Sequence, residues 1–372
     1  MSDSHDGVRP RGDDVVRLHA ASAVPVPDRA ATTARLAELL DDPPAVLLTS
    51  SCTHALEASM LLAGVGPGDE VVVPAFTLSS TANAALLRGA TVRFADVRAE
   101  DGNMDPASLD GVVNARTRAV VCVHYGGVAA DVEELGIVAA TVGADLVEDA
   151  AHGLFGRWQD TPLGRFGRLG ALSFHRTKNL STVEGGALVV NDPDLVDAAM
   201  VAVDKGTDRY LMETGAATTY EWAGPGSAWR MADPMVTLLG SQLDQADKIQ
   251  ARRHQVWDAY QSQLAGWADQ HGVALPEVRP GVEHPAHLFW VRLPDAGRRA
   301  SVVDHCAAAG VEVAQHYGSL PDSAFGRTIK VEGDDCPVAS DLAARLLRLP
   351  VHHQLTDAQV DRVVAALTSA PV

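Results

Sequence analysis

A lysine stands in a short polar segment between two apolar runs of the sequence. Residues 171–190 read ALSFHRTKNLSTVEGGALVV, with Lys178 between the runs 171–174 and 187–190. If these runs are buried strands, Lys178 lies at the end of one of them, where poor solvation lowers the pKa of the amine and favours its neutral form. A neutral lysine amine is a nucleophile that bonds covalently to aldehyde cofactors. Lys178 is therefore a candidate catalytic residue; the simpler interpretation is a solvent-exposed lysine in a turn.

An acidic residue ends another apolar run. Asp149 closes the segment 144–149 (ADLVED) and is followed by Ala150, Ala151 and His152. Ligands of open parallel sheets bind at the carboxyl ends of the strands. A carboxylate at that edge can keep a pyridinium nitrogen protonated, which is the usual partner of a pyridoxal phosphate ring. The simpler interpretations are a helix cap for Asp149 and a half-buried structural role for His152.

A third segment, TSSCTH at residues 49–54, joins a predicted strand to a predicted helix with small hydroxyl-bearing residues. The free backbone N–H groups and the dipole at such a helix start favour a phosphate group. Serine and threonine capping alone would explain the composition. The three segments together, in the order phosphate cradle, aspartate, lysine, are more specific than any one of them.

The elements that must position these residues follow from apolar patterning. Short runs rich in Val and Leu alternate with helical patterns up to about residue 200, which is typical of a parallel α/β sheet covered on both faces. A helix is expected over 53–63, a long helix over 234–265, and a compact mixed α/β layer beyond it. The predicted strands are 45–49, 70–73, 91–96, 119–124, 145–148, 171–174 and 187–190.

The composition of the 372-residue chain excludes several classes of protein. It is 47% hydrophobic and 21% charged, as in ordinary globular proteins, and carries a formal net charge of −18, which argues against nucleic acid or an anionic membrane as the partner. The four cysteines form no CxxC pair, so no disulfide framework and no metal site is expected. Residues 1–14 have the composition of a flexible tail without the apolar core of a signal peptide, and we expect a cytoplasmic protein.

Several longer motifs resemble one family. The segments VEDAAHG, LSFHRTKNLSTVEGGALVVND, PGDEVVVPAFTLSS and VCVHYGGVAAD are similar to the nucleotide-sugar aminotransferases of the DegT/DnrJ/EryC1/StrS family. The resemblance runs from about residue 28 to the end. It implies fold type I of the pyridoxal-phosphate enzymes: a large domain (15–245) with a mostly parallel seven-stranded sheet, and a smaller C-terminal α/β domain (246–372).

The resemblance also implies roles for individual residues. Lys178 matches the lysine that forms a Schiff base with pyridoxal phosphate, and Asp149 matches the partner of the pyridine nitrogen. The family acts as a homodimer, in which the segment around Ala228 and Arg230 reaches the partner's active site. The remaining matches to cofactor contacts are His152 beside the phenolic oxygen and Cys52, Thr53 and Ser173 at the phosphate.

The sequence departs from the family pattern at three places. Leu78 stands where many members stack an aromatic ring on the cofactor, so an aliphatic contact is expected there. Ala228 replaces an asparagine of the partner-donated segment. The loop HYGSLP at 316–321 lacks the final histidine of the family motif, which leaves His316 and Tyr317 as its candidate substrate contacts.

The reaction implied is amino transfer from L-glutamate to C4 of a dTDP-4-keto-6-deoxyhexose. The segments 204–235 and RLLRLPVHHQLT are similar to dTDP-4-amino-4,6-dideoxygalactose transaminase and to 4-aminotransferases of antibiotic deoxysugar pathways, including the calicheamicin type. Lys205, Arg209 and Arg230 are the candidates for the nucleotide diphosphate, unless they pair with acidic neighbours. The alternatives are a C3 aminotransferase and a non-catalytic scaffold. A 3-dehydratase is disfavoured, because the family's dehydratases carry histidine in place of Lys178.

Overall fold

The structure is a computed structural model that describes residues 28–372; the tail predicted over 1–14 lies outside the described residues. Its helices are α1 (Arg29–Glu38), α2 (Cys52–Leu62), α3 (Ser79–Leu86), α4 (Val132–Thr141), α5 (Val196–Val203), α6 (Tyr210–Glu213), α7 (Asp233–Leu243), α8 (Ala246–His271), α9 (Arg299–Ala308), α10 (Gly326–Ile329), α11 (Pro337–Arg345) and α12 (Asp357–Thr368).

The strands alternate with these helices along the first half of the chain and are short. In chain order they are β1 (Ala45–Thr49), β2 (Glu70–Pro74), β3 (Thr91–Ala95), β4 (Thr117–Val123), β5 (Asp145–Asp149), β6 (Arg157–Trp158), β7 (Thr161–Pro162), β8 (Leu169–Ser173), β9 (Gly186–Val190), β10 (Val282–Glu283), β11 (Phe289–Arg292), β12 (Ala314–Gln315) and β13 (Leu346–Leu349).

The seven predicted strands form one sheet, in the order β1-β9-β8-β5-β4-β2-β3. The pairs β2–β3, β2–β4, β4–β5 and β5–β8 are parallel, whereas β9 runs antiparallel to both β1 and β8. The predicted fold, an α/β protein with a mostly parallel seven-stranded sheet, is confirmed. The carboxyl ends of β1, β5 and β8 lie at the same edge and carry the three segments singled out above.

The single long helix predicted over 234–265 is wrong. Helix α7 ends at Leu243 and α8 begins at Ala246. Leu239 and Leu243 pack under the large sheet with α1, and Ala246 and Ile249 in the first turns of α8 join that core, whereas Tyr260 and its neighbours pack in the C-terminal core. The break lies at Gln245, whose φ of −114° and ψ of 8° depart from helical values, and α8 then runs from the first core to the second.

The C-terminal part contains the mixed α/β layer expected there. Strands β11, β13 and β12 form a three-stranded antiparallel sheet, and the apolar faces of α8, α9 and α12 share a core with it. The division into domains at 245/246 stays a prediction, and the break between α7 and α8 falls there. Within residues 28–372, no helix combines the length and the apolar character needed to cross a bilayer.

One glycine allows the sheet to contact the start of α2. A Cβ placed on Gly186, the first residue of β9, would lie 2.4 Å from the backbone nitrogen of Cys52 and 2.4 Å from the carbonyl carbon of Ser51. Real side chains never approach backbone atoms so closely, so only glycine fits. Ser51 caps α2, since its hydroxyl accepts a hydrogen bond from His54 N–H at 3.1 Å. Gly186 therefore fixes the position of the helix start at the edge where the candidate site lies.

We predict that Gly186→Ala lowers stability by about 1–3 kcal/mol, because the added methyl forces the start of α2 away from β9. The readout is the thermal unfolding midpoint. Gly66→Ala is the matched control, since a Cβ there meets no atom within 4 Å. Equal midpoints for the two variants would contradict the close approach.

Candidate active site

A cavity of about 280 Å³ lies at the carboxyl edge of the large sheet. It brings together the residues that the sequence analysis placed on separate segments. Among the predicted residues, those that line it are Cys52, Thr53, Leu78, Asp149, His152, Ser173, Lys178, His316 and Tyr317. The parallel strands and the α2 start therefore converge on one site, as the sequence predicted.

Lys178 lies in the tight connection between β8 and β9. The connection is held by backbone hydrogen bonds, including Phe174 N–H to Gly185 O at 2.8 Å and Lys178 N–H to His175 O at 2.8 Å. Burial lowers the pKa of the Lys178 amine from 10.5 to about 8, while the nearby Asp149 opposes that shift. About a tenth of the amine is therefore neutral at pH 7, far more than for a lysine with a pKa of 10.5, and the neutral form is the one required of a nucleophile.

Asp149 is buried at the floor of the cavity with 5% exposure. The Thr81 hydroxyl donates to its Oδ2 at 2.8 Å and Ala151 N–H donates to its Oδ1 at 3.2 Å. Burial raises the pKa of the carboxyl, against the lowering influence of these hydrogen bonds and of Lys178. The carboxyl is thus fixed in orientation and lacks a full counter-ion pair, which suits it to a cationic ring nitrogen.

His152 is neutral and its tautomer is set by the backbone. Gly126 N–H donates to His152 Nδ1 at 3.2 Å, so the ring proton is on Nε2, which lies 3.3 Å from the Tyr317 hydroxyl. Burial lowers the pKa of His152 well below its ordinary value. The ring of His287 stacks on it with centroids 4.2 Å apart. His152 therefore offers a fixed N–H donor in the cavity.

The start of α2 provides backbone donors. The N–H groups of Cys52 and Thr53 have no hydrogen-bond partner within residues 28–372. The Thr53 hydroxyl donates to Ser80 Oγ at 2.9 Å, and Ser173 lines the same cavity. This combination of helix N-terminus and hydroxyls fits a phosphate group. Burial raises the pKa of the Cys52 thiol well above its ordinary value, so the thiol is not a nucleophile here.

Leu78 presents an aliphatic face to the cavity. It precedes α3, lines the cavity and is 52% exposed. Its position is consistent with the aliphatic contact that the sequence predicts in place of aromatic stacking.

Four predicted residues lie outside the cavity. Ala228 is exposed and forms a β-bridge with Asp204. Lys205 Nζ lies 2.6 Å from Asp204, and Arg230 donates to Glu213 at 2.8 Å. Arg209 pairs with the same Glu213 at 3.9 Å. The three cations thus pair with acidic neighbours, the alternative that their sequence context left open, and their role toward a diphosphate stays a prediction.

Sequence reasoning missed three residues of the site. Thr81 holds Asp149, His287 stacks on His152, and Arg348 lines the cavity from β13. His287 Nδ1 donates to Asn179 Oδ1 at 2.8 Å, which links it to the TKN segment. Arg348 belongs to the family-like segment RLLRLPVHHQLT. An arginine between two leucines there indicates a charged side chain in an otherwise apolar strand.

The cavity fits pyridoxal phosphate. The free N–H groups of α2 suit its phosphate, the buried Asp149 suits its ring nitrogen, and Lys178 suits its aldehyde. No cluster of three or more His, Cys, Asp or Glu side chains suited to a metal ion occurs in the described part of the chain.

We predict that covalent capture of pyridoxal phosphate by the cofactor-free protein accelerates with pH up to about 8 and then levels off, because the neutral Lys178 amine is the reacting form. Stopped-flow absorbance between pH 6 and 9.5 provides the rates. Nα-acetyl-lysine measured in parallel corrects for titration of the cofactor itself. A rate that keeps rising through pH 9.5, as for an ordinary lysine, would contradict the burial of this amine.

Comparison with known proteins agrees with this geometry. The model of the DegT/DnrJ/EryC1/StrS aminotransferase family matches residues 30–368. The spore coat polysaccharide biosynthesis protein SpsC of Bacillus subtilis is 31% identical over 328 residues, covering 86% of this chain and 83% of SpsC.

Solved structures extend the comparison. The aminotransferase TlmJ from Streptoalloteichus hindustanus superposes with a TM-score of 0.84 at 29% identity, covering 92% of this chain and 90% of TlmJ. The PMP form of Spr1654 from Streptococcus pneumoniae also gives 0.84, at 25% identity over 92% and 91% of the two chains, and Spr1654 is solved in a PLP form as well. The chain therefore belongs to the DegT/DnrJ/EryC1/StrS aminotransferase family and is a pyridoxal-phosphate-dependent aminotransferase.

Proposed function

We propose that the protein transfers the amino group of L-glutamate to C4 of a dTDP-4-keto-6-deoxyhexose, giving a dTDP-4-amino-4,6-dideoxyhexose. The observation that carries the proposal is the meeting of Lys178, Asp149 and the free N–H groups of α2 in one cavity. Lysine and carboxylate at these positions are the groups that amino transfer requires.

Different residues of the chain bind different parts of the cofactor. The N–H groups of Cys52 and Thr53 bind the phosphate, together with the Ser173 hydroxyl. Asp149, held by Thr81, keeps the ring nitrogen protonated, and His152 Nε2–H donates toward the cofactor's phenolic oxygen. Bound pyridoxal phosphate supplies an electron-withdrawing ring that stabilises negative charge on the carbon attached to the amino nitrogen.

Lys178 moves the proton in both half-reactions. With cofactor and glutamate bound, the neutral Lys178 amine would remove the proton from Cα of glutamate and carry it to C4′ of the cofactor. Water would supply the keto oxygen when 2-oxoglutarate leaves at the end of the first half-reaction. In the second, Lys178 returns a proton in the reverse direction and the amino group remains on the sugar. The pKa of about 8 suits an amine that must both accept and give up a proton near neutral pH.

Three findings support a sugar substrate. SpsC is named for polysaccharide biosynthesis, and Spr1654 is described as a sugar aminotransferase. His316 and Tyr317 line the cavity beside Lys178, where the reacting end of a sugar would lie. Transfer to C4 rather than C3 rests on the resemblance of 204–235 and of RLLRLPVHHQLT to 4-aminotransferases. The deoxysugar pathway that we propose is one of antibiotic biosynthesis.

We further propose that the active unit is a homodimer. Leu78 at the cavity is 52% exposed, Val183 in the connection from β8 to β9 is 60% exposed, and Trp222 is 84% exposed. We propose that a partner subunit covers these apolar side chains. The segment that carries Ala228 and Arg230 is joined to the end of β1 by a bridge between Thr49 and Arg230, and we assign it to the partner's active site.

Purified protein loaded with pyridoxal phosphate should convert dTDP-4-keto-6-deoxyglucose and L-glutamate into an aminated sugar nucleotide and 2-oxoglutarate. NMR of the product identifies the aminated carbon and its configuration. Nitrogen at C3 of a 3-keto substrate, with no turnover of the 4-keto sugar, would establish the alternative regiochemistry.

Lys178→Ala should abolish this turnover, because no other amine in the cavity can move the proton. Lys330→Ala is the matched control, since Lys330 pairs with Asp335 outside the cavity and its loss should leave turnover unchanged. Wild-type turnover by Lys178→Ala would disprove the assignment, and a wild-type protein inactive with this sugar and L-glutamate would contradict the proposed substrates.

We predict that Trp222→Ala weakens the dimer, because it removes the largest exposed apolar side chain from the proposed interface. Light scattering over a dilution series gives the dissociation constant. Ile137→Ala, at a 67% exposed position on α4, is the control and should leave the constant unchanged. A monomeric wild-type protein, or equal constants for both variants, would contradict the proposed interface.

A further inference from the structure

A second, larger cavity adjoins the cofactor cavity. Its volume is about 690 Å³, within the range of small-molecule sites. Thr177, Lys178, His287 and Arg348 line both cavities, so the two share a wall that contains the reactive lysine. A ligand in the larger cavity is therefore adjacent to the reacting amine.

Arg348 lies in this shared wall as a cation without a partner. In β13 the side chains alternate: Leu347 and Leu349 pack in the C-terminal core, while Leu346 and Arg348 face the large sheet. Arg348 makes no hydrogen bond and no ion pair through its side chain to any residue in 28–372. After burial, its charge is the main influence that lowers the pKa of His316 to about 3. A guanidinium is thus held close to the site's other ionisable groups with its donors unused.

Arg253 is a second cation at the larger cavity. It occupies a position on the apolar stripe of α8, between Ile249 and Val256, and is 2% exposed. Its Nε donates to Ala286 O at 3.2 Å and its Nη2 donates to His287 O. Neither acceptor carries a charge, and burial lowers the pKa of Arg253 to about 10 without any carboxylate to oppose it. A buried charge that lacks a counter-ion is costly, which makes an anionic ligand a favourable occupant.

The charge of the larger cavity differs from that of the whole chain. The formal net charge of the protein is −18, yet this cavity is lined by Arg176, Lys178, Arg253 and Arg348 against one acidic residue, Glu312. By contrast, Arg230 and its neighbours outside the cavities are matched to Asp204 and Glu213. The described cations that face a cavity without a carboxylate partner are therefore concentrated beside Lys178.

We propose that Arg348 and Arg253 form an anion subsite that binds a carboxylate or phosphate group of a substrate while the reacting atoms lie at Lys178. Guanidinium groups bind both kinds of anion through paired, charge-assisted hydrogen bonds. The two possible sources are the carboxylates of the amino donor and the diphosphate of the sugar nucleotide. The inference rests on the proposed function, which supplies these two ligands.

The test measures binding rather than turnover. Calorimetry on the pyridoxal-phosphate-loaded protein uses two unreactive probes: glutarate, a dicarboxylate without an amino or keto group, and dTDP. Arg348→Gln should weaken one probe at least tenfold, and Arg348→Lys should restore part of the loss. Arg253→Gln should weaken the same probe; if that variant fails to fold, Arg348→Gln decides alone. Arg298→Gln, which removes an exposed arginine beside Asp295, is the matched control.

The binding results support or overturn the anion subsite as follows. Weaker glutarate binding assigns the subsite to the donor carboxylates, and weaker dTDP binding assigns it to the diphosphate. Unchanged binding of both probes in Arg348→Gln, or no measurable binding of either to the wild-type protein, overturns the inference. If binding depends on Arg348 but no amino group is transferred to a keto sugar, the proposed function is contradicted and the anion subsite is still supported.

Discussion

The burial of one amine beside one carboxylate is the constraint on which the rest of the site depends. Removing Lys178 from water lowers its pKa to about 8, and the same removal raises the pKa of Asp149. Each shift is useful: the amine becomes a nucleophile, and the carboxyl interacts strongly with a cationic ring in a medium of low dielectric constant. Both shifts disappear if water reaches the cavity, so the surrounding elements must exclude it.

The fold meets this constraint with short strands and tight connections. Asp149 ends β5 in the middle of the large sheet, and Lys178 lies in the hairpin-like link from β8 to the antiparallel β9. Gly186 allows β9 to touch the start of α2, which brings the unpaired N–H groups to the same edge. The C-terminal sheet then closes the cavity with His316, Tyr317 and Arg348. The contacts that hold these elements together therefore also position the residues of the active site.

The parts that the sequence predicted are those encoded locally. Each of the seven strands is a short, mostly apolar run; Asp149 ends one of them and Lys178 lies five residues beyond the end of another. The contributions of Thr81, His287 and Arg348 could not be predicted in that way, because each depends on contacts between elements far apart in the chain. The break between α7 and α8 could not be predicted because helical apolar spacing continues across it, and Leu239, Leu243 and Ile249 share one core. The buried position of Arg253 could have been predicted from the sequence, because it places a charge on the apolar stripe of α8.

The central claim is that the Lys178 amine, and no other, holds the cofactor. Borohydride reduction of the pyridoxal-phosphate-loaded protein, followed by proteolysis and mass spectrometry, tests it most directly. The account predicts one pyridoxyl group per chain, on the peptide that contains Lys178. A label on Lys205, Lys248 or Lys330, or no label in protein saturated with cofactor, would contradict it.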